Sequence, residues 1–393
     1  MMEKTGRTLR RMFVPAVLAV ALAACGGSYL PRPTAGHPSP LPPEGHNISP
    51  PPTRTESWTP SPTATPSPTV NSLAQPSFSY PLKPGPVINR ENAKRVIRLG
   101  IIPIESLGGI IGSQMAWSPD GSRLAVTTNG EGIRIIDPLA MIEIGEIWRN
   151  VEGMADAPGG IASSPDGTMI AVSLPDDESD HPWKIVFFDT QTFAKVREDI
   201  PSNIGYVLSF SHHGEWLAYG SQWGGEVINL EDNSQIYQFV ADENVDFDSV
   251  VFSWDDRYFT ASANGHTPGL VHTGSWKVER ELSGSICFAP DGERIAMTPG
   301  IWSLEDFQLT TNMGDDFGVG LCDFGMQNDI LINFDLCLGI GIWDADTGGL
   351  LNFLVPMDGC GTFYNVSLSP DGKFIAVIDR LTKVLSIWGI PAE

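Results

Sequence analysis

The chain has 393 residues, 41% of them hydrophobic, with 24 basic and 47 acidic side chains and a formal net charge of −23. That length supplies one large core, and the acidic balance argues against nucleic acid and anionic lipid headgroups as partners. Five cysteines, 41 glycines and 32 prolines, with hardly any helical periodicity, direct the reading toward β structure.

Arg7, Arg10 and Arg11 form a charged start, followed by the apolar run Met12–Leu22, which is too short to span a bilayer as a mature helix. The run continues into Leu22-Ala23-Ala24-Cys25-Gly26. This stretch resembles a bacterial lipobox, and the resemblance implies cleavage after residue 24 and diacylglycerol on Cys25. Residues 1–24 are thus expected to be a lipoprotein signal peptide, exported by the general secretory route. Removing Lys4, Arg7, Arg10, Arg11 and Glu3 leaves 20 basic and 46 acidic residues, a net charge of −26.

Residues 25–87 are dense in proline, serine and threonine and nearly devoid of aliphatic side chains. Such a segment cannot bury enough surface to offset its conformational entropy, so its composition predicts a disordered, semi-extended tether. At ~3 Å per residue, sixty residues reach up to about 180 Å, enough to hold a folded part away from a membrane or through a wall layer.

From residue 88 onward the chain repeats itself. Val366–Val377 reads as a short strand, a Ser-Pro-Asp-Gly turn and a second apolar strand. Six further copies begin at Met115, Ile161, Leu208, Val250, Ile286 and Cys322. Their turn positions, Asp120, Asp166, His213, Asp255, Asp291, Gln327 and Asp371, recur at intervals of 36 to 47 residues. One column (Leu124, Ile170, Leu217, Phe259, Ile295, Leu331, Ile375) is large and apolar, and the next (Ala125, Ala171, Ala218, Thr260, Ala296, Ile332, Ala376) is mostly small. Four-stranded units with this period cannot bury both faces alone and must stack around an axis. The expected fold for 88–393 is therefore an all-β, seven-bladed β-propeller of four-stranded antiparallel blades. Val96–Ile101 stands outside any hairpin copy and Val384–Trp388 reads as a third strand whose blade has no fourth, so an N-terminal strand is expected to complete the last blade and close the ring.

Several third strands end apolar-then-acidic, as in Ile136-Asp137, Phe188-Asp189, Leu230-Glu231, Leu304-Glu305 and Trp343-Asp344. The run Trp343-Asp344-Ala345-Asp346-Thr347-Gly348 resembles WD40-repeat proteins, over about residues 90–393. The chain lacks that family's Gly-His pair before each hairpin and its regular second-to-third-strand Asp. Bacterial WD40-like propellers are accordingly the better comparison.

Of the cysteines beyond Cys25, the blade reading places Cys337 and Cys360 in loops of adjacent blades on one face and favours a Cys337–Cys360 disulfide. Cys287 and Cys322 fall on innermost strands, where buried free thiols are expected. Acids cluster in the second-to-third-strand loops and in the loops entering blades: Asp156, Asp176, Asp177, Glu178, Asp180, Asp242, Asp246, Asp315, Asp316 and Asp358. Together they predict a strongly negative face suited to a protein or peptide with a basic surface. Carboxylate oxygens also suit Ca²⁺, but no run has EF-hand spacing.

No nucleophile elbow, zinc-protease helix or phosphate loop occurs, so no catalytic residue, metal or cofactor is assigned. His212 and His213 replace Pro-Asp in a turn and read as structural, while Trp183 and Trp223 lie near loops and are candidate binding aromatics. The sequence thus points to a non-catalytic, monomeric scaffold, lipid-anchored to a bacterial membrane in the extracytoplasmic envelope. The alternatives are a Ca²⁺-dependent, lactonase-like propeller hydrolase and an envelope assembly factor.

Overall fold

The computed structural model describes residues 79–392, apart from 104–113, 129–131, 149–157, 177–182, 198, 203–205, 222–223, 241–246, 264–268, 283–285, 315–316, 318–321, 336–338, 357–362 and 380–383. Twenty-eight strands form seven four-stranded antiparallel sheets among the described residues. A lone strand, β1 (Ile97–Pro103), comes first. Blade one is then β2 (Met115–Trp117), β3 (Leu124–Thr128), β4 (Gly132–Asp137) and β5 (Ile142–Trp148). Blade two is β6 (Ile161–Ser163), β7 (Met169–Pro175), β8 (Trp183–Asp189) and β9 (Ile200–Ser202). Blade three is β10 (Val207–Phe210), β11 (Trp216–Ser221), β12 (Gly224–Asn229) and β13 (Gln235–Val240). Blade four is β14 (Phe247–Phe252), β15 (Tyr258–Ala263), β16 (Gly269–His272) and β17 (Lys277–Glu281). Blade five, with the shortest strands, is β18 (Cys287–Phe288), β19 (Arg294–Met297), β20 (Gly300–Ser303) and β21 (Leu309–Asn312). Blade six is β22 (Cys322–Phe324), β23 (Ile330–Asp335), β24 (Gly339–Asp344) and β25 (Leu350–Pro356).

Blade seven joins the two ends of the described chain. Its inner strands are β26 (Phe363–Leu368), β27 (Phe374–Asp379) and β28 (Val384–Gly389), and its outer strand is β1. The β1–β28 pairing is antiparallel, from Ile97 opposite Gly389 to Pro103 opposite Val384. The expected closure is therefore present, and it covers the sheet edge that a linear array would expose.

The core lies between blades rather than within them. The large column is buried throughout, from fully enclosed Leu124, Leu217, Ile295, Leu331 and Ile375 to Ile170 at 5% exposure. Its small neighbours are equally buried and let the next sheet approach. Ala125, Ile133 and Ile135 of blade one, for instance, share a cluster with Ile161, Ile170 and Val172 of blade two. Each such aliphatic side chain withdrawn from water contributes about 1.5–3 kcal/mol, which is why a single blade cannot stand alone.

The seven hairpin turns are built alike. Each places one residue in the left-handed region: Gly121, Gly167, Gly214, Asp256, Gly292, Asn328 and Gly372, with φ between 54° and 77°. Where the turn begins with serine, the hydroxyl accepts the N–H five residues on, as Ser164 does from Met169. Where aspartate follows two residues later, that hydroxyl also donates to it, as Ser118 does to Asp120 and Ser369 to Asp371. The third-to-fourth-strand turns follow a second rule. Asp137, Asp189 and Asp344 accept two backbone N–H groups each. In blades three and five the same position is held by Asn229 and Ser303 rather than by the acidic residues Glu231 and Glu305.

Candidate functional site

The hairpin turns meet one another around the ring. Pro119 lies beside Gly167, Pro165 beside Gly214, Asp255 beside Gly292, Met326 beside Gly372 and Asp371 beside Gly121. The two remaining seams are bridged by hydrogen bonds. The Asp291 N–H donates to Asn328 Oδ1 at 3.0 Å, and Asp256 accepts from the His212 and His213 N–H groups at 2.7 Å each. All seven turns therefore gather at one end of the propeller. In every antiparallel blade the opposite strand ends then lie at the other end, and from these ends the second-to-third-strand loops and the loops entering blades depart.

Asp176, the one candidate acid among the described residues, belongs to that opposite end. Asp176 follows directly on β7 and makes an ion pair with Lys184 Nζ at 3.5 Å, half-buried beside the first residues of β8. Asp156, Asp177, Glu178, Asp180, Asp242, Asp246, Asp315, Asp316 and Asp358 lie outside the described residues, as do Trp223, His181, His266 and Cys25. Trp183, opposite Pro175 in the sheet, meets Tyr206 of the next blade with ring centroids 5.8 Å apart.

The turn-end carboxylates are engaged by their own turns. Asp120 and Asp166 are held below the usual carboxylate range first by the hydroxyls of Ser118 and Ser164, with backbone N–H groups adding to the effect. The His212 ring packs tilted against Trp254 with centroids 4.6 Å apart, and His213 Nδ1 lies 2.7 Å from Asp256 Oδ2. The structural reading of both histidines agrees with these contacts. Trp117 stacks on Phe374 across the seam between blades one and seven, and Trp216 packs on Phe252 across the seam between blades three and four.

The innermost strands correct the cysteine expectation. Cys287 of β18 and Cys322 of β22 are not free thiols: they form a disulfide, with Cα atoms 5.8 Å apart. The column logic explains it. The position of Cys287 faces the following blade and that of Cys322 faces the preceding one, where blades one and two place Ala116 and Ile161 in one cluster. The Cys337–Cys360 pairing falls on residues outside those described.

The next residue, Asp323, faces the opposite way and accepts the Leu368 N–H of blade seven at 3.2 Å. Burial pushes its acid up to about 6, against the smaller lowering effect of that hydrogen bond. The unfolded chain ionises this group near 3.8, whereas the folded one holds its proton until about 6. Stability is therefore lost as pH rises from about 4 to 6 and stays lost above. Asp323→Asn is expected to stabilise the protein by about 1 kcal/mol at pH 8, a figure reduced for the residue's partial exposure, and to change nothing at pH 4. Denaturant titrations at the two pH values check this, and an equal effect at both would contradict it.

Among the described residues no group of three or more His, Cys, Asp or Glu side chains is arranged to hold a metal ion. A cavity of about 20 Å³ between blades one and two, walled by Ala116, Ala125, Ile135 and Ile170 among others, has room for about one water. No helix among the described residues is long and apolar enough to cross a membrane.

No family model and no curated protein matches the chain. The propeller and its contacts thus stand as the basis for function.

Proposed function

We propose that the chain is a lipid-anchored, extracytoplasmic scaffold that binds a basic protein or peptide with the propeller end opposite the hairpin turns. One observation carries the reading. The ring contacts of the turns gather the hairpins at one end, which supports assigning to the other end the ten acids that the sequence writes between second and third strands or ahead of first strands. The turn acids, by contrast, are occupied in holding their own hairpins, as with Asp120, Asp166 and Asp371. Charge gathered on one rigid end steers a cationic partner and sets its orientation. The lipobox at Cys25 and the proline-rich stretch after it support attachment through a long tether.

The test is capture from solubilised membranes by the chain beginning at Gly26. Partner capture at low salt, lost at about 0.5 M salt and weakened at least tenfold by joint Asp176→Asn, Asp177→Asn, Glu178→Gln and Asp180→Asn substitution, is the expected result. Capture indifferent to salt and to these changes defeats the proposal. Saturable calorimetric binding of Ca²⁺ at millimolar metal would instead favour the lactonase-like hydrolase. For the anchor, Cys25→Ala is expected to abolish incorporation of a labelled fatty acid and release the protein from membranes; persistent membrane association refutes it.

A further inference from the structure

Ring closure involves more than the β1–β28 ladder. Residues 79–96, partly assigned by composition to the tether, run along the propeller from blade one past blade seven to blade six. At blade one, the Leu82 N–H donates to the Leu139 carbonyl at 2.8 Å. Tyr80 Oη donates to the Leu99 carbonyl of β1 itself at 3.0 Å. The segment then passes Ile390, just beyond β28, so closely that a β-carbon on Gly85 would lie 1.7 Å from the Ile390 carbonyl oxygen. At blade seven, the Ile88 N–H donates to the Gly372 carbonyl at 2.8 Å, and the Ile88 side chain is 1% exposed.

At blade six the segment is held by charge. The Arg90 N–H donates to Asp329 Oδ2 at 2.8 Å, its Nε lies 3.2 Å from Asp344 Oδ2, and its Nη2 pairs with Asp346. A short 3-10 turn follows, Ala93–Arg95, with Ala93 and Val96 buried in the core shared by blades six and seven. Asn352 Nδ2 of β25 donates to the Ala93 carbonyl at 2.9 Å, and β1 begins immediately afterwards.

We propose that this segment is a latch for the ring, with Arg90 as its pin: seating residues 79–96 on blades one, seven and six is what holds β1 in the last sheet. The physical reason is positional. β1 is an edge strand, and edge strands fray first, because only one side is hydrogen-bonded. Fixing the residues just before β1 to blade six removes the freedom β1 needs to peel away from β28. Asp344 is partly engaged in its own turn, through the Asp346 and Thr347 N–H groups. The pin is thus received by a turn that is already rigid.

The test is amide hydrogen exchange on the chain beginning at Gly26, comparing Arg90→Ala with Lys195→Ala, which removes the exposed Lys195–Asp199 pair on blade two. Arg90→Ala is expected to speed exchange of the amides in 97–103 and 384–389 about tenfold, leaving blades two to five unchanged. Arg90→Lys should recover part of the protection, and Lys195→Ala should leave both segments unaffected. Unchanged exchange in β1 and β28 after loss of Arg90, or an equal rise in every blade, overturns the proposal.

Discussion

Joint replacement of Cys287 and Cys322 by serine is expected to lower the unfolding free energy by about 3–4 kcal/mol and the calorimetric midpoint by about 5 °C. The bond closes a loop across a sequence separation of 35 residues, and most of its effect lies in restricting the unfolded chain. Its position raises its importance. Blade five has the shortest strands, and β18 contributes only two residues to the ladder with β19. The innermost strands of blades five and six are thus joined by a covalent link at the position where blades one and two pack Ala116 with Ile161. Scanning calorimetry of both forms decides the matter, and an unchanged midpoint would show that the seam is held without the bond. Any further drop on adding a thiol reductant to the double-serine form would report a second disulfide, for which Cys337 and Cys360 are the candidates.

Asp256→Ala is expected to cost about 3 kcal/mol, through two effects at one residue. Its carboxylate accepts the His212 and His213 N–H groups and faces His213 Nδ1, and its removal leaves those donors without a partner in the fold. Its backbone sits at φ 54°, which alanine adopts at a cost of about 1 kcal/mol. Asp256→Asn, which tolerates that conformation, should lose about half as much. The pH dependence has the opposite sign to that of Asp323. Burial works to raise the acid, but the hydrogen bonds from His212 and His213 outweigh it, and the folded value falls below 3.8. The stabilisation is then complete above about pH 4 and disappears as pH falls through the folded value. Urea titrations at pH 7 and pH 3 should show a large difference between wild type and variant at the first and a smaller one at the second. A constant difference would assign the whole effect to backbone strain.

Blade three shows why this aspartate is needed. Its turn carries His212-His213 where most others have Pro-Asp, so it lacks the internal carboxylate that Asp166 or Asp371 supplies. Asp256, in the position glycine occupies in most turns, brings a carboxylate from the neighbouring blade onto the His212 and His213 N–H groups instead. The two departures from the repeat compensate each other across a seam.

What was legible in the sequence was whatever the repeat writes more than once. The large and small columns, the turn position and the third strands recur, so their spacing fixes them; the third strand ending in Ile136-Asp137, for instance, is found as Gly132–Asp137. The closing strand was legible because Val384–Trp388 reads as a third strand whose blade has no fourth. Single events were not. The Cys287–Cys322 bond follows from the columns only once it is known which face of an inner strand meets which neighbour. The latch left no pattern, because Leu82 and Ile88 are held through backbone groups and Gly85 by close approach. For the acidic end, the structure describes Asp176 and the polarity of the blades, and the charge itself is read from sequence.

The circle of touching turns also restricts how this molecule can change. A residue inserted into any hairpin turn would press on the adjacent turn, and most third-to-fourth-strand turns are equally short. Yet the spacing between successive repeats ranges from 36 to 47 residues. Much of that slack must be taken up at the other end of the propeller. Lengthening or exchange of segments there leaves the circle of turns untouched, so new recognition properties can arise without endangering the ring that presents them.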